Sequence, residues 1–149
     1  MVNSNPKDYY APMHTTEHIL NQTMVRIFNC DRSFSNHIEK KKSKCDYHFD
    51  RNLSEDEIKN IEIKVNTELR QNHNVYDEII SLNDAENKYN ISKLPEDFGT
   101  SVRIVHIGDY DSCPCSGVHV SNTKEIGEFK IISTGYEGGV LRIRFKLIN

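Results

Sequence analysis

Two pairs of potential metal ligands, each with a spacing of four residues, carry the chemistry of this 149-residue sequence. His14 and His18 lie in a segment whose apolar residues follow a helical period. Side chains four apart on a helix point the same way, so both imidazoles would share one face. Cys115 and His119 come much later, in what we expect to be a loop after an apolar run. Together they form a complete tetrahedral ligand set for Zn²⁺.

Other groups near the second pair have simpler explanations. Cys113 is a possible further thiolate ligand, although a free thiol is the more common role of such a cysteine. Asp109 and Asp111 are possible partners that orient His119 or act as a base, although aspartates at such positions more often form turns.

The role of the metal is open at this point. Four protein ligands favour a structural site, because catalytic zinc usually keeps three protein ligands and one open position. The long separation of the two pairs favours a site where a helix meets a loop, which can lie in a cleft and bind substrate. In a hydrolytic site the metal would hold and polarise a water molecule, whose pKa on zinc can fall to about 7.

Composition indicates one polar, globular domain. The chain is 36% hydrophobic and 28% charged, with a mean hydropathy of −0.65. No apolar run approaches the roughly 20 residues that cross a bilayer. Because the first residues lack the apolar core of a secretory signal, we expect a cytoplasmic protein, with no membrane partner and with cysteines that serve metal binding or catalysis rather than disulfides.

The net charge of −3 argues against a dedicated DNA-binding domain, which would more often be basic. The basic residues are nevertheless clustered. One run contains Lys40, Lys41, Lys42 and Lys44, and a second group contains Lys130, Arg142, Arg144 and Lys146. A solvated loop or strand face explains such clusters, and contact with RNA stays open.

The pattern predicts an α+β fold in which a mostly antiparallel sheet packs with two main helices. Residues 1–12 would be a lead-in and residues 13–149 a single domain. We predict helices at 13–29, 54–72 and 83–89, the second starting in a capping box of Ser54 and Glu57. Predicted strands are 34–38, 44–50, 75–82, 102–107, 128–133 and 140–148, with a loop at 91–100 and a turn at 135–139. In the last strand, core residues alternate with basic ones.

Several motifs resemble the editing domain shared by alanyl- and threonyl-tRNA synthetases, and most of all the free-standing alanyl-tRNA editing proteins of the AlaX type. The specific likeness lies in His14–His18, Cys115–Val120 and Ser121–Ile131. It extends through Phe49–Ile58 and Gly139–Ile143. The resemblance covers nearly everything after residue 13.

The resemblance implies that His14, His18, Cys115 and His119 are zinc ligands. It also implies that a hydroxyl or amide after the first helix recognises the wrong amino acid, and Ser33 and Asn36 are the candidates here. The chain departs from the family pattern at Ser116 and Val118 in the cysteine loop and at Thr16 and Glu17 between the histidines. These departures leave the ligands intact and affect substrate preference.

The implied activity is deacylation of mischarged tRNA by a zinc-oriented water. The expected substrate is Ser-tRNA(Ala), with Gly-tRNA(Ala) as a second one. Removal of serine from tRNA(Thr) is an alternative within the same class. A non-catalytic, zinc-stabilised RNA-binding module is the alternative from another class. The sequence does not predict the oligomeric state.

Overall fold

Three helices and seven strands lie within residues 10–89 and 101–148, the part of the chain that the computed structural model describes. They are α1 Ala11–Phe28, β1 Ser35–His37, β2 Ser43–His48, α2 Glu55–Leu69, β3 Val75–Ser81, α3 Leu82–Lys88, β4 Ser101–Ile107, β5 Asp111–Pro114, β6 Glu128–Glu137 and β7 Val140–Ile148. A 3-10 turn, Thr123–Glu125, precedes β6. The predicted loop at 91–100 lies outside the described residues, and so does the predicted lead-in at 1–12 except for residues 10–12.

The α+β class and the antiparallel pairing are confirmed, but the strands form two sheets rather than one. One sheet has the order β1-β2-β7-β6 and the other the order β3-β4-β5. Every strand pair is antiparallel. The two sheets could not be told apart from the sequence, because strand periodicity identifies strands and not their partners.

Two predicted loops are shorter than expected. The predicted loop before Cys115 contains β5, which pairs with β4 over Asp111–Pro114 although Asp and Pro are weak strand formers. Strand β6 continues to Glu137, so the predicted turn at 135–139 is reduced to Gly138 and Gly139. Both glycines have positive φ (56° and 84°), as a tight hairpin turn requires.

Helix α2 begins as predicted. The Ser54 hydroxyl accepts from the Glu57 amide, and the Glu57 carboxylate accepts from the Ser54 amide. Its side chains also cover the outer edge of β6, where Asn66 makes two hydrogen bonds to the backbone of Phe129 and Glu62 accepts from the amide of Ile131. These contacts protect an edge strand that would otherwise present unpaired backbone groups.

Helix α1 is the most buried helix of the described chain and begins at Ala11, two residues earlier than predicted. Pro12 suits this first turn because its missing N–H would have no partner there. Ile19, Leu20 and Met24 join the core formed with the four-stranded sheet. Every residue from Met13 to Asn21 is buried, so the polar ones need partners inside the protein.

No helix in the described part of the chain is long and apolar enough to span a membrane.

Candidate metal centre

The structure brings the four predicted ligands together. One potential ligand atom from each of His14, His18, Cys115 and His119 lies within 4.8 Å of those of the others. The Cys115 sulfur is 3.5 Å from Nε2 of His14 and 3.5 Å from Nε2 of His119. The His14 and His119 rings stack with centroids 4.1 Å apart, and His18 meets both edge-on.

This arrangement is compatible with a metal site. Zn–N bonds of about 2.0–2.1 Å and a Zn–S bond of about 2.3 Å in a regular tetrahedron place sulfur about 3.5 Å from each nitrogen. The two sulfur–nitrogen distances in the structure are both 3.5 Å. Three neutral imidazoles and one thiolate are also a ligand set that zinc prefers.

The cysteine loop reaches α1 because residue 117 is a glycine. A Cβ on Gly117 would lie 2.4 Å from Cε1 of His14, which no side chain can occupy. The Gly117 amide points back to the Cys115 sulfur at 3.4 Å. Arg103 of β4 fixes the same loop by donating to the carbonyl oxygens of Cys115 (3.0 Å) and Gly117 (2.7 Å). The sequence showed Arg103 only as a polar residue on a strand.

Two of the three imidazoles are oriented by a hydrogen bond at their outer nitrogen, whereas Nδ1 of His18 is buried without a hydrogen-bond partner in the described part of the chain. His14 Nδ1 donates to the carbonyl oxygen of Val118 at 2.9 Å, which leaves Nε2 facing the cluster. His119 Nδ1 lies 2.9 Å from the Thr15 hydroxyl, which also accepts from the amide of Val120. Such contacts fix the tautomer and the ring plane of a metal-binding histidine.

Neither Asp109 nor Asp111 orients His119, and Asp109 has the turn-forming role that its position favoured. Thr15 holds that position, Asp109 is exposed in a turn, and Asp111 faces His18 instead, with Oδ2 3.6 Å from its Nδ1. No local pattern in the sequence pointed to Thr15, because its contact with His119 joins residues that are far apart in the chain.

Asp111 is held by a guanidinium that sequence reasoning missed. Arg32, which follows α1, donates to both carboxylate oxygens of Asp111 at 2.7 and 3.3 Å, and Gln22 donates to one of them at 3.0 Å. Burial alone would raise the pKa of Asp111, but the Arg32 charge and the contact with His18 outweigh it and lower the pKa to about 2. A fixed anion therefore faces the outer nitrogen of His18.

The electrostatics of the cluster favour a thiolate. Burial raises the pKa of Cys115, but the charge of His18 and hydrogen bonds from His119 and His14 outweigh it, so the pKa falls to about 2. Burial lowers the pKa of His119 to about 3, which keeps that imidazole neutral. The pKa of His18 is raised: burial would lower it, but the charges of Glu17 and Cys115 dominate. The Cys115 thiolate and the neutral His119 imidazole are the forms that coordinate metals, whereas His18 would release its proton on binding one.

The pKa of the Cys113 thiol is shifted in the opposite direction from that of Cys115. It lies on β5 and is not among the four clustered residues, and burial raises the pKa of its thiol. Two cysteines separated by a single residue therefore differ in protonation, and only Cys115 lies against the histidines.

The two predicted substrate contacts lie beside the cluster in a buried polar network. The Ser33 hydroxyl donates to Oδ1 of Asn36, and Nδ2 of Asn36 donates to Oε1 of Glu17 at 2.9 Å. Asn21 accepts from the Ser33 amide at 2.6 Å. The other oxygen of Glu17 lies 3.9 Å from Nε2 of His18. Ser33 is fully buried and Asn36 only partly, so Asn36 has the greater access to solvent.

An open groove of about 840 Å³ adjoins the cluster. Ala11 and Pro12 line it just before His14, and Val118 lines it just before His119. Its remaining lining residues are Tyr10, Ile38, Glu39, Lys40 and Lys41. The groove is therefore both partly aromatic and partly basic.

Comparison with known proteins agrees with this geometry. Residues 102–144 match the family described as "Threonyl and Alanyl tRNA synthetase second additional domain". The chain is 30% identical to an alanine–tRNA ligase of Nitrosomonas europaea, covering 87% of this chain and 15% of that protein. It is 33% identical to the alanine–tRNA ligase of Leptospira biflexa, and this match covers 86% of this chain and 14% of that protein.

A chloroplastic/mitochondrial alanine–tRNA ligase of Oryza sativa subsp. indica is 35% identical, covering 87% of this chain and 13% of that protein. The chain thus spans about one seventh of the length of these relatives. The match nevertheless extends over most of the chain, well beyond residues 102–144. This chain belongs to the family of editing domains shared by threonyl- and alanyl-tRNA synthetases, in an AlaX-like form.

Proposed function

We propose that this chain hydrolyses the ester bond of mischarged aminoacyl-tRNA, with Ser-tRNA(Ala) as its main substrate and Gly-tRNA(Ala) as a second one. The observation that carries the proposal is the convergence of His14, His18, Cys115 and His119 at one point of an editing-domain fold. Alanine–tRNA ligases are the relatives that the chain matches, which favours the alanine tRNA.

These four residues would hold zinc. Zinc supplies Lewis-acid chemistry, which polarises an ester carbonyl or lowers the pKa of a water to about 7. The chain's own contribution is to fix the site. Thr15 and the Val118 carbonyl orient two of the imidazoles. Asp111 faces the outer nitrogen of the third, His18.

Selection of serine would depend on a hydrogen bond. An apolar pocket rejects one added hydroxyl by only about a hundredfold, so a synthetase for alanine also accepts serine. An editing site can instead bind that hydroxyl. Asn36 is the residue we assign to this contact, with Ser33 and Glu17 holding its amide group on either side.

The groove beside the cluster would take the 3′ end of the tRNA. Lys40 and Lys41 offer positive charge to the phosphates, and the Tyr10 ring offers a surface on which a base can stack. Lys40 Nζ lies 5.5 Å from the centre of that ring, so charge and aromatic surface meet at one place.

Two alternatives have observations in their favour. Recognition through a hydroxyl applies equally to Ser-tRNA(Thr), and the matching family includes threonyl-tRNA synthetases. A structural zinc in a non-catalytic RNA-binding module would agree with four protein ligands, because a filled tetrahedron leaves no open position.

Deacylation of preformed aminoacyl-tRNAs tests the proposal. We expect rapid hydrolysis of Ser-tRNA(Ala), slower hydrolysis of Gly-tRNA(Ala), and little of Ala-tRNA(Ala) or Ser-tRNA(Thr). Asn36→Ala should slow the serine substrate more than the glycine one, since glycine has no hydroxyl to bind. Ser35→Ala, at an exposed neighbouring position, is the control. Absence of hydrolysis with every tRNA, together with unfolding on chelation of the metal, would favour the structural module.

A further inference from the structure

The four-stranded sheet has one buried face and one basic face. Cys45 of β2 lies opposite Ile143 of β7, and both are fully buried. Because side chains alternate along a strand, the neighbouring positions point the other way. There, Lys130 and Lys146 are exposed, and Lys44 and Arg144 are half-buried. The predicted alternation of core and basic residues in the last strand is confirmed.

Like charges face each other directly across these strands. Lys44 of β2 lies opposite Arg144 of β7, and Lys130 of β6 lies opposite Lys146 of β7. Like charges at directly opposed positions destabilise a sheet, whereas alternating signs would stabilise it. Two such pairs in a chain with a net charge of −3 are not explained by solubility alone.

Neighbouring carboxylates do not neutralise this face. Two acids lie on this face: Asp46 of β2, whose two oxygens Arg142 engages at 2.7 and 2.9 Å, and the exposed Glu128 of β6, two residues from Lys130. Within residues 10–89 and 101–148, neither cross-strand pair takes part in a salt bridge. The pKa of Asp46 is lowered by the hydrogen bond from Arg142, and the charges of Lys44 and Arg144 lower it further. The cations of this face therefore lie close together and outnumber the carboxylates beside them.

The basic face begins three residues along the chain from the last lining residue of the β1–β2 loop in the groove. The loop between β1 and β2 contributes Lys40 and Lys41 to the groove. The chain then enters β2 at Ser43, and Lys44 is the first cation of the face. Lys40 and Lys41 of the groove and Lys44 of the face therefore belong to one short stretch of the chain.

We propose that the face formed by Lys44, Lys130, Arg144 and Lys146 binds the phosphate backbone of the tRNA acceptor arm. This inference rests on the proposed function for the choice of RNA as the polyanion. Charge complementarity carries it, since the cations are arranged over three adjacent strands and each strand lies about 4.8 Å from the next. Backbone contacts of this kind position an RNA without reading its sequence.

The salt dependence of tRNA binding tests this face. The variants are K44Q/R144Q and K130Q/K146Q, and the control is K59Q/K64Q, which removes two exposed lysines of α2. The probe is uncharged tRNA(Ala), so that hydrolysis plays no part. Each lost phosphate contact should reduce the slope of log Kd against log salt by about 0.7–0.9, so each face variant should lose about 1.5 in slope. The control should retain the slope of the parent protein.

The outcomes separate this inference from the proposed function. Face variants that bind tRNA with the control's Kd and salt slope would overturn the inference, even if the parent protein hydrolyses Ser-tRNA(Ala). Weaker binding with a reduced slope would support it, even if the parent protein hydrolyses no ester. The melting temperature of K130Q/K146Q should be no lower than that of the parent, since this variant removes a like-charge pair and leaves Lys44 and Arg144 beside Asp46. A lower melting temperature of K130Q/K146Q would contradict the claim that this pair is repulsive.

Discussion

At the scale of single residues, the chemistry of this site depends on which polar atom contacts the outer nitrogen of each clustered histidine. Half of the cluster could be predicted from local structure, because helical spacing places His14 and His18 on one face whatever the rest of the chain does. Thr15 could not be predicted, since its contact with His119 joins residues 104 positions apart. Glu17 was visible only as a departure from the family pattern, and its contact with Asn36 depends on the packing of β1 against α1.

Thr15→Val should weaken metal binding without unfolding the protein. The substitution keeps the shape of the side chain and removes the oxygen beside Nδ1 of His119. Loss of such a partner costs about 10–100-fold in metal affinity. Competition with a chromophoric chelator measures this change.

Thr16→Val is the matched control for that measurement. Thr16 is equally buried, but its hydroxyl donates to the Pro12 carbonyl and contacts no ligand. Equal zinc affinities for the two variants would show that Thr15 does not support His119.

At the scale of elements, local signals predicted the helices better than the strands. The capping box of Ser54 fixes the start of α2 within a few residues of sequence. Strand β5 has no such local signal, and it exists because β4 offers it a partner and Arg32 anchors Asp111 at its start. The extension of β6 to Glu137 likewise depends on pairing with β7.

Arg32→Met should destabilise the fold by about 3 kcal/mol, because it leaves the buried carboxylate of Asp111 without its cation. The double variant R32M/D111N should recover at least about 1 kcal/mol, since it removes the unpaired charge as well. Chemical denaturation of the parent, both single variants and the double variant measures the coupling. Additive effects would mean that the ion pair does not hold β5 to the end of α1.

The same pair predicts a dependence on pH. The pKa of Asp111 falls from 3.8 to about 2 on folding, so its stabilising contribution is fully present above pH 3.8. That contribution is lost as the pH falls toward about 2. Asp111→Asn should therefore flatten the fall in stability over this acid range. An unchanged pH profile in D111N would contradict the assignment.

At the scale of the whole molecule, the metal cluster joins parts of the chain that are far apart in sequence. Helix α1 provides two ligands and the loop after β5 provides two, so one ion would connect the N-terminal helix to the C-terminal half of the fold. The fold class followed from the sequence, because periodicity and caps are local. The division into two sheets is a product of pairing between distant strands, and so is the extension of the basic face from the predicted last strand to β2 and β6.

The central claim is that these four ligands hold a metal on which ester hydrolysis depends. The most direct measurement is single-turnover hydrolysis of Ser-tRNA(Ala) by the parent protein as purified, after metal removal and after addition of Zn²⁺, alongside C115S and C113S. Metal removal and C115S should each slow hydrolysis by about 100-fold or more. Zinc should restore the stripped parent, and C113S should keep the parent's rate because Cys113 lies outside the cluster. Full activity in the stripped protein or in C115S would contradict the account.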